Sequence, residues 1–205
     1  MKRNILSITL TVMLIFTLTA CGGSGSPETT VGAFCDALKT FDVKGMMTQV
    51  DGADASNADI SSLLAGEGDF PESLAAYFKE NAAQMTYTID STTVDGDSAT
   101  ATVSFKYVDA SPVIQAVFTE VLSEGFKLAM EGKEMSEEDM NALFDTSLET
   151  QKGTVEPTFA ESTVEIELVK SSDGWKLTEI NDDLMNIITS NFMSATNGLT
   201  SSIGN

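Results

Sequence analysis

The stretch from Met85 to Tyr107 reads MTYTIDSTTVDGDSATATVSFKY, and its hydrophobic period is two. Met85, Tyr87 and Ile89 alternate with Thr86, Thr88 and Asp90. After Asp95-Gly96-Asp97, the residues Ala99, Ala101, Val103, Phe105 and Tyr107 alternate with Thr100, Thr102, Ser104 and Lys106. Successive side chains of a strand point to opposite faces, so each half has one apolar and one hydroxylic or charged face. The glycine-centred turn folds the halves together as a β-hairpin. One wet face is what an antiparallel sheet covered on a single side requires.

The same pattern returns downstream. Val164, Ile166 and Leu168 alternate with Glu165 and Glu167, Ser171-Ser172-Asp173-Gly174 turns the chain, and Trp175 and Leu177 alternate with Lys176 and Thr178. This is a second hairpin. Between the two the period is helical. Ser111-Pro112 reads as an N-cap followed by Pro at the first helical position. Val113, Ile114, Val117, Phe118, Val121, Leu122, Phe126, Leu128 and Ala129 then make a broad apolar arc to about Met130, where Gly132 breaks the helix. The arc is expected to be buried; left open, it would be a docking surface. Ser136-Glu137-Glu138-Asp139 resembles a capping box with Asp in the last place, and Met140, Leu143, Phe144 and Leu148 follow at helical spacing. The acidic run from Glu131 to Asp139 reads as the solvated connection between the two helices.

Upstream, Ser26 caps a helix opened by Pro27-Glu28, with Val31, Phe34, Cys35 and Leu38 as its buried stripe. A short helical piece with Met46, Met47 and Val50 follows, and then a loop from Asp51 to Asn57. Its Asp51, Asp54, Asn57 and Asp59 do not have the spacing of a twelve-residue calcium loop. Ile60 to Leu64 reads as a short helix ended by Gly66 and Gly68. Pro71 starts another, with Leu74, Ala75, Tyr77, Phe78 and Ala82 on its apolar face. Beyond the second hairpin, Asn181-Asp182-Asp183 caps a last helix carrying Leu184, Ile187, Ile188 and Phe192, and Gly198 begins a polar tail. The fold expected is α+β: a curved antiparallel sheet of about four strands in two hairpins, covered by helices, with a helical pair inserted between the hairpins.

Composition narrows the chemistry. The 205 residues carry 31 acidic and 11 basic side chains, a net charge of −20, and no histidine. Ser-His-Asp and Cys-His catalysis and His-based zinc sites are excluded, and no metal or cofactor is expected. So negative a chain is repelled by nucleic-acid phosphates and anionic headgroups. Of the two cysteines, Cys35 lies between apolar neighbours in a helix, near Lys39 and Lys44 but also Asp36 and Asp42. It reads as a small buried hydrophobe.

The N-terminus has the layout of a secretory leader: Lys2 and Arg3, an apolar run from Ile5 to Phe16, then small residues. Leu18-Thr19-Ala20-Cys21 resembles the lipobox of bacterial lipoproteins. The resemblance implies removal of residues 1–20 and a mature chain starting at Cys21 with two or three acyl chains, enough for stable attachment. Gly22 to Ser26 would be a short flexible tether holding a single domain, residues 27–205, close to the membrane. The expected location is the extracytoplasmic face of a cell membrane, and the short tether and lack of a wall-sorting tail favour a single-membrane bacterium.

The order of elements, with Asp173-Gly174-Trp175-Lys176 in the last hairpin, resembles lipoproteins with a nuclear transport factor 2-like (cystatin-like) domain. That resemblance implies a cone-shaped sheet able to enclose a pocket, and the residues that would line it here are Tyr87, Phe105, Tyr107, Trp175 and Glu179. Two readings follow. One is a non-catalytic module that binds an envelope protein or an apolar small ligand. The other is an enzyme, or a small-ligand binder, using a Tyr/Glu pair in the cone. A filled sheet face would disfavour enzyme and small-ligand binder alike and leave protein interaction.

Overall fold

The computed structural model describes residues 25–52 and 71–196. The leader, the lipobox Leu18-Thr19-Ala20, Cys21, most of the Asp51–Asn57 loop, the Ile60–Leu64 helix and the tail after Gly198 lie outside the described residues.

Helix α1 (Pro27–Thr40) begins as its sequence dictates: Ser26 accepts a hydrogen bond from the Thr29 amide, and Pro27 occupies the first position. It ends at Phe41, whose left-handed backbone turns the chain into α2 (Val43–Met47). Helix α3 (Glu72–Ala82) buries Leu74, Tyr77, Phe78, Asn81 and Ala82. Four strands follow, β1 (Thr86–Asp95), β2 (Ser98–Asp109), β3 (Thr158–Ser171) and β4 (Gly174–Leu177), in one antiparallel sheet of order β1-β2-β3-β4. The α+β arrangement expected from the two periods is the one observed.

Strand β1 keeps its apolar face by means of a bulge. Tyr87 opposes Phe105 and Ile89 opposes Val103, but past Asp90 the register shifts and Thr92 opposes Ala101. The extra residue moves the inward set from odd to even positions, which is why strict alternation fades after Ile89 in the sequence. Gly96, at φ +64°, makes the hairpin turn. Strand β3 starts six residues before Val164, because Ala160 and Ser162 continue the inward set with side chains too small to register as hydrophobic alternation.

The helical pair is α4 (Ser111–Met130) and α5 (Glu137–Thr154). Asp109 of β2 is directly paired with Thr158 of β3, so the pair leaves and rejoins the sheet at facing residues. Ser111 lies inside α4 rather than capping it: the cap position is Ala110, and the Ser111 amide donates to Asp109 Oδ1 at 3.0 Å. Gly132, at φ +69°, ends α4 with Lys133 N–H donating back to the Leu128 carbonyl at 2.9 Å. Ser136 and Asp139 form the capping box of α5. The C-terminal helix α6 (Asp182–Ile188) is capped by Asn181 but is shorter than expected. Ser190 and Asn191 take left-handed conformations before a last helical turn at 192–196. Asn tolerates that region better than most residues.

Buried residues from these elements join in one core. Phe34, Phe78, Met46, Ile114, Leu148, Ile166, Leu177, Leu184 and Ile188 are all at most 1 % exposed.

Candidate functional site

The inner sheet face is filled by its own side chains. Ala101 and Val103 are fully buried, Phe105 is 2 % exposed, and Val164, Ile166 and Leu168 are 1 % exposed, all within one core shared with the helices. The residues expected to line a cone do not converge. Tyr87 and Phe105 do come together, with ring centroids 6.4 Å apart. Tyr107, however, opposes Ala160, whereas Trp175 opposes Lys170. From Ala160 to Lys170 the extended strand runs about 33 Å. Glu179 is exposed, and the alternation begun by Trp175 and Leu177 does not reach it. The strand stops at Leu177, and Glu179 lies with Glu165, Glu167 and Asp183 along an open depression. A Tyr/Glu acid–base pair in one pocket is therefore not formed.

Each tyrosine instead serves to join elements. The Tyr87 hydroxyl donates to Asp36 Oδ1 at 2.8 Å, tying β1 to α1. Partial burial, together with the hydrogen bond to the Asp36 carboxylate and its charge, pushes the phenol up to about 12. Tyr107 donates to Asn191 Oδ1 at 2.9 Å, and Asn191 Nδ2 donates to Asp109 Oδ1 at 3.1 Å. Burial tends to raise the Asp109 carboxyl, but the hydrogen bonds from Ser111 and Asn191 outweigh it and hold Asp109 below its ordinary value. Asn191 is a residue that sequence reasoning misses; the run Thr189-Ser190-Asn191, polar inside an apolar helix pattern, is the signal for it. Cys35 is fully buried, and burial first, then the Asp36 charge, pushes its thiol up to about 12.

Lys152 near the end of α5 sits 5.5 Å from the Tyr77 ring centroid and pairs with Glu80 at 2.8 Å and Glu149 at 3.1 Å. Burial works against its charge, but the two carboxylates prevail and raise its pKa. The hollow beside it, bounded by Tyr77, Asn81, Asp109 and Lys152, has a volume of about 150 Å³. That is below the roughly 300 Å³ at which drug-sized ligands are held.

No family model matches the chain, and no curated protein matches it. Among solved structures it is similar to ycdA, a "putative lipoprotein" from Bacillus subtilis subsp. subtilis strain 168. The two share 19 % identity, with a TM-score of 0.37 over 82 % of this chain and 47 % of that one. The match thus spans about half the neighbour's length. At that score the likeness carries no argument about fold or activity.

The largest departure from expectation lies in the helical pair. Val113, Ile114 and Val117 at the base of α4 are buried as expected, but farther out Leu122 is 52 %, Phe126 70 % and Met130 76 % exposed. Met140 on α5 is 46 % exposed. The arc expected to be internal is buried through Val117, partly buried at Phe118 and Val121, and opens to solvent beyond them. Among the described residues, no helix is long and apolar enough to cross a membrane.

Proposed function

We propose that the chain is a lipoprotein held on the extracytoplasmic face of a bacterial cell membrane through acyl chains on Cys21, and that its body is a non-catalytic module that docks another envelope protein. The anchor rests on the run Leu18-Thr19-Ala20-Cys21 behind a basic and apolar leader. The nuclear transport factor 2-like resemblance of the last hairpin belongs to the same reading. The observation that carries the docking function is the contrast between the two apolar surfaces. The centre of the inner sheet face, Ala101 to Phe105 and Val164 to Leu168, is buried, while the outer half of the helical pair holds large apolar side chains out to solvent. A cone-type ligand binder would have the reverse.

Two measurements test the two halves. Metabolic labelling with a fatty acid should mark the protein and should cease in Cys21→Ser; labelling that persists removes the anchor. Crosslinking on intact cells should give a discrete higher-mass adduct containing one envelope protein. If no adduct forms and the purified protein instead turns over a compound in a substrate screen, the docking reading is abandoned.

A further inference from the structure

We infer that the outer end of the α4–α5 pair receives a basic amphipathic helix of a partner protein; this rests on the docking reading above and names its surface and the chemistry of its partner. Phe118, Leu122, Phe126 and Met130 recur every four residues on α4, as Leu148, Phe144 and Met140 do on α5. Each set therefore forms one stripe on its helix. The stripes meet inside the fold, where the Phe118 and Phe144 rings lie edge to face with centroids 6.2 Å apart and Phe118 lies 6.5 Å from Phe192. Outward of that pair Leu122, Phe126, Met130 and Met140 remain 52, 70, 76 and 46 % exposed. Helix α4 is about 30 Å long at 1.5 Å per residue, so more than half of it extends beyond its last buried residue, Val117. The exposed fractions of Leu122, Phe126, Met130 and Met140 correspond to apolar area on the order of 400 Å², the size of the largest and often functional patch on a monomer. It is about half of what each partner buries in a standard domain interface, and suits one helix.

Charge selects the partner. Around the stripes, Lys127 is paired with Glu124 at 3.1 Å and Lys133 with Glu131 at 2.8 Å, so neither leaves a net charge. Glu134, Glu137 and Glu138, in the connection and the first turn of α5, are exposed and have no ion pair among the described residues. The connection and first turn of α5, at the same end of the pair as Phe126 and Met130, therefore carry uncompensated acidic charge. Two copies of the chain would bring these carboxylates face to face, and anionic headgroups would be repelled by them. A helix with Leu-type residues on one face and Lys or Arg flanking them meets both surfaces. The flexible thioethers of Met130 and Met140 suit its uneven packing.

The test uses the full chain in phosphatidylcholine nanodiscs, with empty discs as blank, and a fluorescent peptide of Leu and Lys at amphipathic helical spacing read by anisotropy. Binding is expected to weaken at least about tenfold in Phe126→Ser/Met130→Ser. Glu134→Gln/Glu137→Gln/Glu138→Gln should weaken it and flatten its salt dependence. A control, Glu165→Gln/Glu167→Gln on the outer sheet face, should leave it within about twofold. Equal binding by all three variants would mean diffuse attraction to an acidic protein, and overturns the inference. So does dimerisation in sedimentation that Phe126→Ser abolishes, which makes the occupant a second copy. A photocrosslinker at position 126 that captures residues 53–70 of the same chain makes the occupant internal and overturns it equally. An envelope partner crosslinked at another surface removes this site and leaves the docking reading intact. No adduct on cells together with turnover of a compound by the purified protein removes the docking reading, and this inference with it, whatever the peptide does.

Discussion

Asp109 joins β2, the start of α4, β3 and the turn at Asn191 that follows α6. It accepts from the Ser111 amide and from Asn191, and its own carbonyl accepts from Thr158 at 3.2 Å. Its folded pKa lies below the ordinary 3.8, so it contributes stability above that value that is lost as pH falls through the folded pKa. Asp109→Asn keeps an acceptor oxygen and loses the charge. Urea denaturation between pH 6 and 3 should show the variant less stable than the parent at pH 6, with the gap closing toward pH 3; a constant gap would exclude the linkage. Cys35 yields a simpler expectation. With its thiol buried and pushed up to about 12, labelling by an aromatic disulfide should be at least about a hundredfold slower in the native protein than in urea. Rapid native labelling would show that α1 opens locally.

Helices α4 and α5 divide into an inner half that holds the fold and an outer half that does not, and substitutions should divide the same way. Leu148, fully buried, should cost about 2–5 kcal/mol when changed to Ala. Phe126→Ser should change stability by no more than about 0.5 kcal/mol. Chemical denaturation of the two variants checks both; similar losses would mean that the outer half is packed after all. The division also marks where the sequence is legible. Alternation at 85–107 and 164–177 is enough to place both hairpins, since a period of two has no helical counterpart, and Ser26, Asn181 and the Ser136/Asp139 box declare their helix starts. Leu122 and Phe126 stand out as apolar, but periodicity reports which face of a helix is apolar and nothing about how far a neighbour extends to cover it. Glu179 joins the expected pocket only by continuing an alternation past Leu177, where the strand has ended. Asp90, the bulge residue, and Ala160 are invisible for a related reason: one shifts the parity, the other is too small to show it.

Across the whole molecule, negative charge prevails. With a net charge of −20, the native state repels itself, and added salt should relieve this. The thermal midpoint should rise by at least about 2 °C between 10 mM and 500 mM sodium chloride at pH 7, measured by calorimetry. A midpoint that falls would show that the few ion pairs, Lys152 with Glu80 and Glu149 foremost, outweigh the repulsion. The topology has a separate effect. Because Asp109 and Thr158 face each other across the ladder, the strand register does not depend on how far the outer half of the pair extends between them. Each doubling of a connection adds only about 0.6 kcal/mol of closure entropy. The scaffold can therefore keep its folding code in the sheet while the protruding arm is lengthened, trimmed or re-lettered, which would let descendants of one ancestor acquire different specificities without having to relearn how to fold.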